Sequence, residues 1–181
     1  MARKPLDRDT MLQAMAAHVL AHGLSDASLR PLAKAAGTSD RMLIYHFGNK
    51  EGLVGALLNY LGDLYSTMLD SMIPANAASS RDELLAEIAK ITRGPQFSPF
   101  LVLWWDVVAG SARGNGLYRD SAQRIMQRLL DWVEAHLPDD EPDPTRTARE
   151  ILTLIEGMQM LDTIGCEDIA NAALARTSRP A

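Results

Sequence analysis

The apolar residues of this 181-residue chain recur with the spacing of α-helices over most of its length. In the first such segment, Leu12, Met15, Ala16 and Val19 follow the i, i+3, i+4, i+7 pattern that places side chains along one face of a helix. No segment shows the alternation of apolar and polar residues that is typical of strands, and no hairpin dipeptide separates two such segments. The pattern therefore predicts an all-α fold.

Turn and capping residues divide the pattern into eight predicted helices. Asp7 and Asn49 are suited to cap the first and fourth helices, and Gly23 and Gly37 follow the first and second. Pro31 falls in the first turn of the second helix, where a backbone N–H is not needed. The predicted helices cover about residues 8–22, 28–36, 39–45, 50–72, 82–92, 97–109, 118–137 and 145–164, and the tail from residue 175 is predicted to be frayed.

The third of these helices is short and has few apolar side chains. It lies in the segment AAGTSDRMLIYHFGNKEGL, where Gly37 separates it from the second helix and either Met42 or Leu43 is expected to be buried. Two short helices joined by a glycine-containing turn form a helix-turn-helix, whose second helix enters the major groove of DNA. A helix that presents its outer face to DNA needs little apolar surface. We therefore interpret residues 28–50 as a DNA-binding element.

The polar residues of this element have the chemistry needed to bind DNA. Arg41 is expected on the exposed side, where a guanidinium can donate two hydrogen bonds to O6 and N7 of guanine. Lys50 falls in the first turn of the fourth helix, where a cation opposes the helix dipole unless a phosphate is bound there. Asp40 is repelled by phosphate unless it accepts from a cytosine amino group or pairs with Arg41. The side chains expected to hydrogen-bond phosphate oxygens are Ser28, Thr38, Ser39, Tyr45 and His46.

Several of these residues also have an interpretation that does not involve DNA. Arg41 taken alone is an ordinary surface arginine, and Ser28 is a good helix cap. His46 is equally suited to satisfy a buried polar group. Arg3 and Lys4, near the start of the chain, form a basic arm that could reach a groove or the DNA backbone.

The segment SLRPLAKAAGTSDRMLIYHFGNKEGL resembles the DNA-binding segment of TetR-family transcriptional regulators. The residues that match the family pattern are Ser28, Leu32, Ala33, Ala36, Gly37, Ser39, Leu43, His46, Phe47, Lys50 and Leu53. Thr38, Arg41 and Ile44 depart from it, and the tyrosine usual at the position of Ile44 occurs one residue later, as Tyr45. One helical position turns a side chain by about 100°. The partner of Tyr45 therefore stays open between a phosphate and a base.

Composition and charge narrow the class of protein. Hydrophobic residues make up 47% of the chain, and the net charge is −5 although residues 1–50 carry seven Lys/Arg against four Asp/Glu. The single cysteine, Cys166, cannot form an internal disulfide. The first residues lack an apolar signal core, and no apolar run approaches the roughly 20 residues of a membrane helix. We predict a soluble cytoplasmic protein with no cofactor or metal, since His18, His22 and His136 lack ligand spacing.

The resemblance implies that a helical body surrounds a pocket for a small-molecule effector, and that an effector bound there lowers the affinity for DNA. The candidate lining residues are aromatic and apolar side chains of the predicted sixth helix with one methionine of the eighth, namely Phe97, Phe100, Trp104, Val108 and Met158. No charged residue stands out as a ligand partner, so a mostly apolar or aromatic effector is expected. The alternative is that these side chains are ordinary core.

The predicted seventh and eighth helices are apolar on nearly two faces. Such a helix needs partners on both sides, and one partner can be a second subunit, as in TetR-family dimers. The residues assigned to a homodimer interface are Ile125, Leu129, Trp132, Ile151, Ile155 and Leu161. The alternative is a helix that is fully buried inside a monomer.

These patterns and the resemblance together predict an N-terminal three-helix helix-turn-helix DNA-binding domain and a C-terminal helical domain for ligand binding and dimerisation. The predicted ranges are residues 1–50 and 51–181. The predicted function is a transcriptional repressor that a small-molecule effector releases from a palindromic operator. One alternative is a helical adaptor whose head binds protein. A helical enzyme is disfavoured, because Glu150, Glu156 and Asp162 are scattered and no nucleophile–base pair is evident.

Overall fold

A computed structural model describes residues 7–75 and 77–177 of the chain, and every regular element in that part is helical. One turn of 3-10 helix, Leu24–Asp26, follows the first α-helix. The α-helices are α1 (Arg8–His22), α2 (Leu29–Ala35), α3 (Asp40–Phe47), α4 (Lys50–Met72), α5 (Arg81–Thr92), α6 (Ser98–Ala112), α7 (Gly116–His136), α8 (Pro144–Thr163) and α9 (Glu167–Thr177). The all-α prediction is confirmed for the described residues.

The ends of the N-terminal helices lie where the capping residues predicted them. Asp7 Oδ1 accepts a hydrogen bond from the N–H of Thr10 at 2.7 Å, and Asn49 Oδ1 accepts one from the N–H of Gly52 at 2.7 Å. Gly23 ends α1 with a φ of 84°, a conformation that side chains other than glycine rarely adopt. These ends depend on hydrogen bonds between residues three or four positions apart. A sequence pattern is sufficient to predict them for that reason.

The sequence pattern missed one helix. It predicted a last helix ending near residue 164, but α9 follows that point and packs against α8. Most apolar residues of α9 are alanines, and Ala170 is 1% exposed. Because alanine contributes little apolar area, no stripe of large side chains marks this helix in the sequence.

The predicted sixth helix begins at about residue 97, but in the structure Phe97 lies just outside it. The N–H of Phe97 donates to the carbonyl of Gly94 at 3.0 Å in a turn, and α6 begins one residue later at Ser98. Pro99 then lies in the first turn of α6, where its missing N–H leaves no helical hydrogen bond unmade. The helix therefore begins beside the proline and leaves Phe97 outside it.

The chain forms two compact units that are not continuous in sequence. The described part of the first unit comprises residues 7–65 and 99–125, and that of the second comprises residues 66–75, 77–98 and 126–177. Both α4 and α7 contribute residues to each unit. The predicted boundary at residue 50 separates DNA binding from ligand binding and dimerisation, and it does not describe these compact units. It stays a prediction.

The first unit has a continuous core between α1, α2, α3 and the first part of α4. Met15, Leu32, Leu43, Leu53 and Leu57 are completely buried in it. Two residues of α6, Leu103 and Val107, join the same cluster. The three N-terminal helices therefore depend on residues beyond position 50 for their packing.

The second unit is held by a core and by polar contacts between distant segments. Leu84 of α5 and Ile151 of α8 are fully buried. Arg93 Nε and a terminal guanidinium nitrogen donate to the two carboxylate oxygens of Asp162 at 2.7 and 3.0 Å. The indole N–H of Trp132 donates to Asp70 at 2.5 Å.

The described residues include no helix with the length and apolarity required to cross a membrane. Over the same residues, no three His, Cys, Asp or Glu side chains are grouped closely enough to hold a metal ion.

Candidate nucleic-acid interface

The short helix α3 has one buried face and one exposed face. Leu43 is fully buried and Phe47 is 7% exposed, whereas Met42 is 42% exposed and Tyr45 is 78% exposed. Of the two residues considered for the buried position, the structure therefore selects Leu43. Arg41 lies on the exposed side, as predicted. Its guanidinium is available to a partner outside the chain.

The turn between α2 and α3 has a hydrogen-bond pattern that holds the two helices at a defined angle. The N–H of Thr38 donates to the carbonyl of Ala33 at 2.9 Å, and the N–H of Gly37 donates to the carbonyl of Lys34 at 3.1 Å. This pair of bonds is the Schellman motif, and it requires a left-handed residue, which is Gly37 with a φ of 64°. The turn therefore fixes the point at which α3 begins.

Two serines occupy the N-cap positions of the helix-turn-helix. Ser39 Oγ accepts from the N–H of Met42 at 3.3 Å, so its hydroxyl hydrogen remains able to donate to an acceptor such as a phosphate oxygen. Ser28 occupies the N-cap position of α2, but its side chain makes no capping hydrogen bond. Its exposed hydroxyl can therefore bind a partner without breaking a cap.

The charged residues of the interface are exposed. Asp40 and Arg41 form no ion pair with each other or with any other described residue, although such a pair was one of the alternatives considered for Asp40. Lys50 is the first residue of α4, where the free N–H groups of a 23-residue helix favour an anion. Arg3 and Lys4, assigned to a basic arm, lie outside the described residues.

The shifted tyrosine is accounted for by the packing of α3. Ile44, at the position where the family pattern has tyrosine, is half-buried, and Tyr45 projects outward instead. The ring of Tyr45 contacts that of His46 edge-to-face, with 5.3 Å between centroids. His46 is only half-exposed. The partners of these two side chains on DNA stay predictions.

Two residues that the sequence pattern did not single out hold the end of α3 in place. A Cβ added to Gly52 would clash with the carbonyl oxygen of Phe47, so the close approach of α3 and α4 requires glycine there. The guanidinium of Arg8 lies 4.9 Å from the centroid of the Phe47 ring, within the range of a cation–π interaction. A glycine inside a helical pattern signals the first contact, but no local pattern signals the second.

The residues predicted to line an effector pocket belong to different units. Phe100 and Trp104 pack partly buried against the core of the first unit, and Val108 is 37% exposed. Phe97 and Met158 are buried and belong to the second unit. The pocket they were assigned to stays a prediction.

Cavities within single units involve other residues. A groove of about 760 Å³ in the first unit is lined mostly by charged, polar and small residues of α1 and α4, with Leu12, Tyr60, and Leu117 and Arg124 of α7. A smaller space of about 250 Å³ lies between α5 and α9 in the second unit. Neither contains a residue assigned to the effector.

The residues predicted to form the homodimer interface are mostly covered within one chain. Ile151, Ile155 and Trp132 are 0%, 4% and 8% exposed, so they contribute to the interior of the second unit. Leu129 and Leu161 are half-buried in the same unit, and Ile125 is half-buried in the first. The dimer interface stays a prediction. Exposed apolar side chains of the C-terminal helices lie nearby in sequence, at Met160, Ile164 and Ile169.

Known proteins share both the helix-turn-helix and the whole fold. The family model described as "Bacterial regulatory proteins, tetR family" matches residues 13–57. The HTH-type transcriptional regulator BetI of Ectopseudomonas mendocina is 25% identical over 170 residues, which cover 91% of this chain and 85% of that protein. The crystal structure of SCO7518 from Streptomyces coelicolor A3(2) matches with a TM-score of 0.73 at 23% identity, covering 96% of this chain and 98% of the other.

A further solved structure, that of the multidrug binding protein EbrR complexed with imidazole, matches with a TM-score of 0.65 at 20% identity. It covers 98% of this chain and 93% of the other. The matched segment, residues 13–57, contains the turn at Gly37, the exposed face of α3 and Lys50. The helix-turn-helix geometry, the family match over residues 13–57 and the relatives of similar length together support a DNA-binding transcriptional regulator of the TetR family.

Proposed function

We propose that this regulator binds a palindromic operator as a homodimer, represses transcription, and is released from DNA by a small apolar or aromatic effector. The observation that carries the DNA-binding part is the geometry of α3. Leu43 and Phe47 fix one face of this helix in the core, and Arg41 and Tyr45 extend from the other. The proposed DNA contacts are those of Ser28, Thr38, Ser39, Asp40, Arg41, Tyr45, His46 and Lys50.

The chemistry of each side chain indicates which part of the DNA it contacts. Arg41 is assigned to a guanine, because a guanidinium matches its O6 and N7 acceptors. Lys50 and the N–H groups at the start of α4 are assigned to one phosphate, which would bind both the ammonium and the positive end of the helix dipole. Asp40 is assigned to a cytosine amino group, since it forms no ion pair within the described residues and would be repelled by phosphate.

The dimer is supported by the family and by exposed apolar surface. TetR-family regulators dimerise and bind small-molecule effectors. Met160 of α8, Ile164 in the turn that follows it and Ile169 of α9 are 46%, 64% and 54% exposed. A second subunit would cover such side chains, which are costly to leave in water. Two recognition helices roughly 34–36 Å apart then match the successive half-sites of a palindrome.

The effector part of the proposal is supported by side-chain chemistry and by one structural neighbour. The candidate residues Phe97, Phe100, Trp104, Val108 and Met158 are apolar or aromatic, and EbrR, which shares the fold, is described as a multidrug binding protein. The proposed dimer has two conformations, one that binds DNA more tightly and one that binds the effector more tightly. Binding of the effector favours the second conformation and thereby lowers the affinity for DNA. A regulator of this kind would act in the cytoplasm, where bacterial DNA is found.

The decisive experiment is selection of bound fragments from a random DNA duplex library, followed by affinity measurements at several salt concentrations. We expect a palindrome with half-sites about one helical turn apart and an affinity that falls steeply with salt. Absence of any enriched sequence from folded, dimeric protein would contradict the proposal. It would favour the alternative in which the head binds protein.

Lys50→Ala is expected to weaken binding to all DNA sequences by the same factor and to lower the slope of log K against log salt by about one. The reason is that one phosphate contact, and the counterion it displaces, is lost. The measurement is operator and non-operator affinity by fluorescence anisotropy between low and moderate salt.

Lys90→Ala is the matched control, because Lys90 is an exposed lysine of α5 in the second unit. This control should leave the slope unchanged. An unchanged slope for Lys50→Ala as well would remove Lys50 from the interface.

A further inference from the structure

The head of this regulator exposes one apolar side chain that no DNA contact above uses. Among described residues 7–65, the large apolar or aromatic side chains more than a third exposed are Met42 and Tyr45, and both are on α3. Every other leucine, isoleucine, valine, methionine and phenylalanine in that range is buried or half-buried. Single exposed methionines are common on protein surfaces, so exposure alone does not indicate a binding role for Met42. Its position in the helix-turn-helix is the informative observation.

Met42 occupies the first turn of the recognition helix. Ser39 is the N-cap of α3 and accepts a hydrogen bond from the N–H of Met42, which makes Met42 the third residue of the helix. The N-terminal residues of a recognition helix are those that contact base edges in the major groove. Arg41 precedes Met42 directly, and Tyr45 lies three residues further along. Met42 is therefore placed among the candidate base contacts.

The chemistry of the side chain selects one feature of the major groove. A thioether is a weak acceptor and donates no hydrogen bond, so it gains little from base nitrogens and oxygens or from phosphates. The apolar group that B-DNA presents in the major groove is the C5-methyl of thymine. The three rotatable bonds of methionine allow its end to adapt to that methyl.

We propose that Met42 contacts the C5-methyl of a thymine in each half-site of the operator and thereby determines part of the sequence preference. The inference rests on the proposed function, since it names a further contact of the same interface. Met42 and Arg41 both belong to the first turn of α3, the end of the recognition helix whose residues contact base edges.

The test removes the methyl group and the side chain separately. Each thymine of the selected operator is replaced in turn by deoxyuridine, which lacks the methyl and keeps the base-pairing hydrogen bonds. For the unaltered protein we expect one position per half-site at which this change weakens binding roughly fourfold, the effect of one buried carbon group. For Met42→Ala, the thymine-to-uracil ratio at that position should fall to about one. Met42→Leu should retain a ratio well above one.

Met72→Ala is the matched control, because Met72 is 43% exposed and belongs to α4 in the second unit. It should show the same ratio as the unaltered protein. The inference is overturned, with the proposed function intact, if sequence-specific binding is insensitive to every methyl removal or if Met42→Ala keeps the full ratio. Failure of the unaltered protein to select any operator would overturn both.

Discussion

Arg41→Ala is expected to lower affinity for the selected operator by roughly 1–3 kcal/mol, about fivefold to more than a hundredfold, and to abolish the preference at one base pair of each half-site. Arg41 lies on the exposed side of α3, in the turn whose start is fixed by Gly37 and Ser39. Its guanidinium is therefore available to bind guanine without competition from an ion pair within the described residues. Removing it leaves the acceptors O6 and N7 of that guanine without their donor.

The measurement is affinity for the operator and for variants that carry each of the other three bases at the position concerned. Arg113→Ala, at an exposed arginine after the end of α6, is the charge-matched control and should retain the base preference. If Arg41→Ala weakens binding to every sequence equally, Arg41 contacts a phosphate rather than a base.

Leu43→Ala is expected to lower the free energy of unfolding by about 3 kcal/mol, within the range of about 2–5 kcal/mol found for buried leucines. Leu43 is fully buried among the side chains of the core, so the substitution leaves a cavity under α3. The helix has only one other buried anchor, Phe47. Operator affinity should therefore fall even at temperatures where the variant remains folded. Urea denaturation followed by circular dichroism, together with binding below the transition, measures both effects.

Leu53→Ala supplies the comparison. Leu53 is also fully buried, but its helix α4 keeps other anchors in the same core, including Leu57, Leu58 and Leu61. We expect a similar loss of stability and a much smaller loss of operator affinity. Equal operator affinity for the two variants below their transitions would show that the orientation of α3 does not depend on Leu43.

Local interactions explain why the sequence by itself predicts much of the DNA-binding head. The cap at Asp7, the glycine turn at Gly37 and the start of α4 at Asn49 each depend on hydrogen bonds between residues close in sequence. Residue chemistry at those positions is therefore enough to place the helix-turn-helix. The exposure of Arg41 follows from its charge, because an unpaired guanidinium is costly to bury.

The sequence alone does not determine which of two neighbouring apolar residues in α3 is buried. The sequence pattern left the buried residue of α3 open between Met42 and Leu43, because an eight-residue helix shows too few turns to define its inner face. The packing of α3 into the core of the first unit buries Leu43 and exposes Met42. The proposed thymine contact depends on that difference.

The sequence pattern of this chain does not predict contacts between residues that are distant in sequence. The helical period, the caps and the DNA-binding motif arise from spacings of three or four residues, so they are present in the sequence. The contact of the Arg8 guanidinium with the Phe47 ring, the packing of α9 on α8 and the hydrogen bond from Trp132 to Asp70 arise only when the helices pack. The last of these joins residues 62 positions apart, a separation at which no local pattern specifies a partner. Tertiary packing therefore decided which of the apolar residues are core, including Ile151 and Ile155, and which remain exposed to partners.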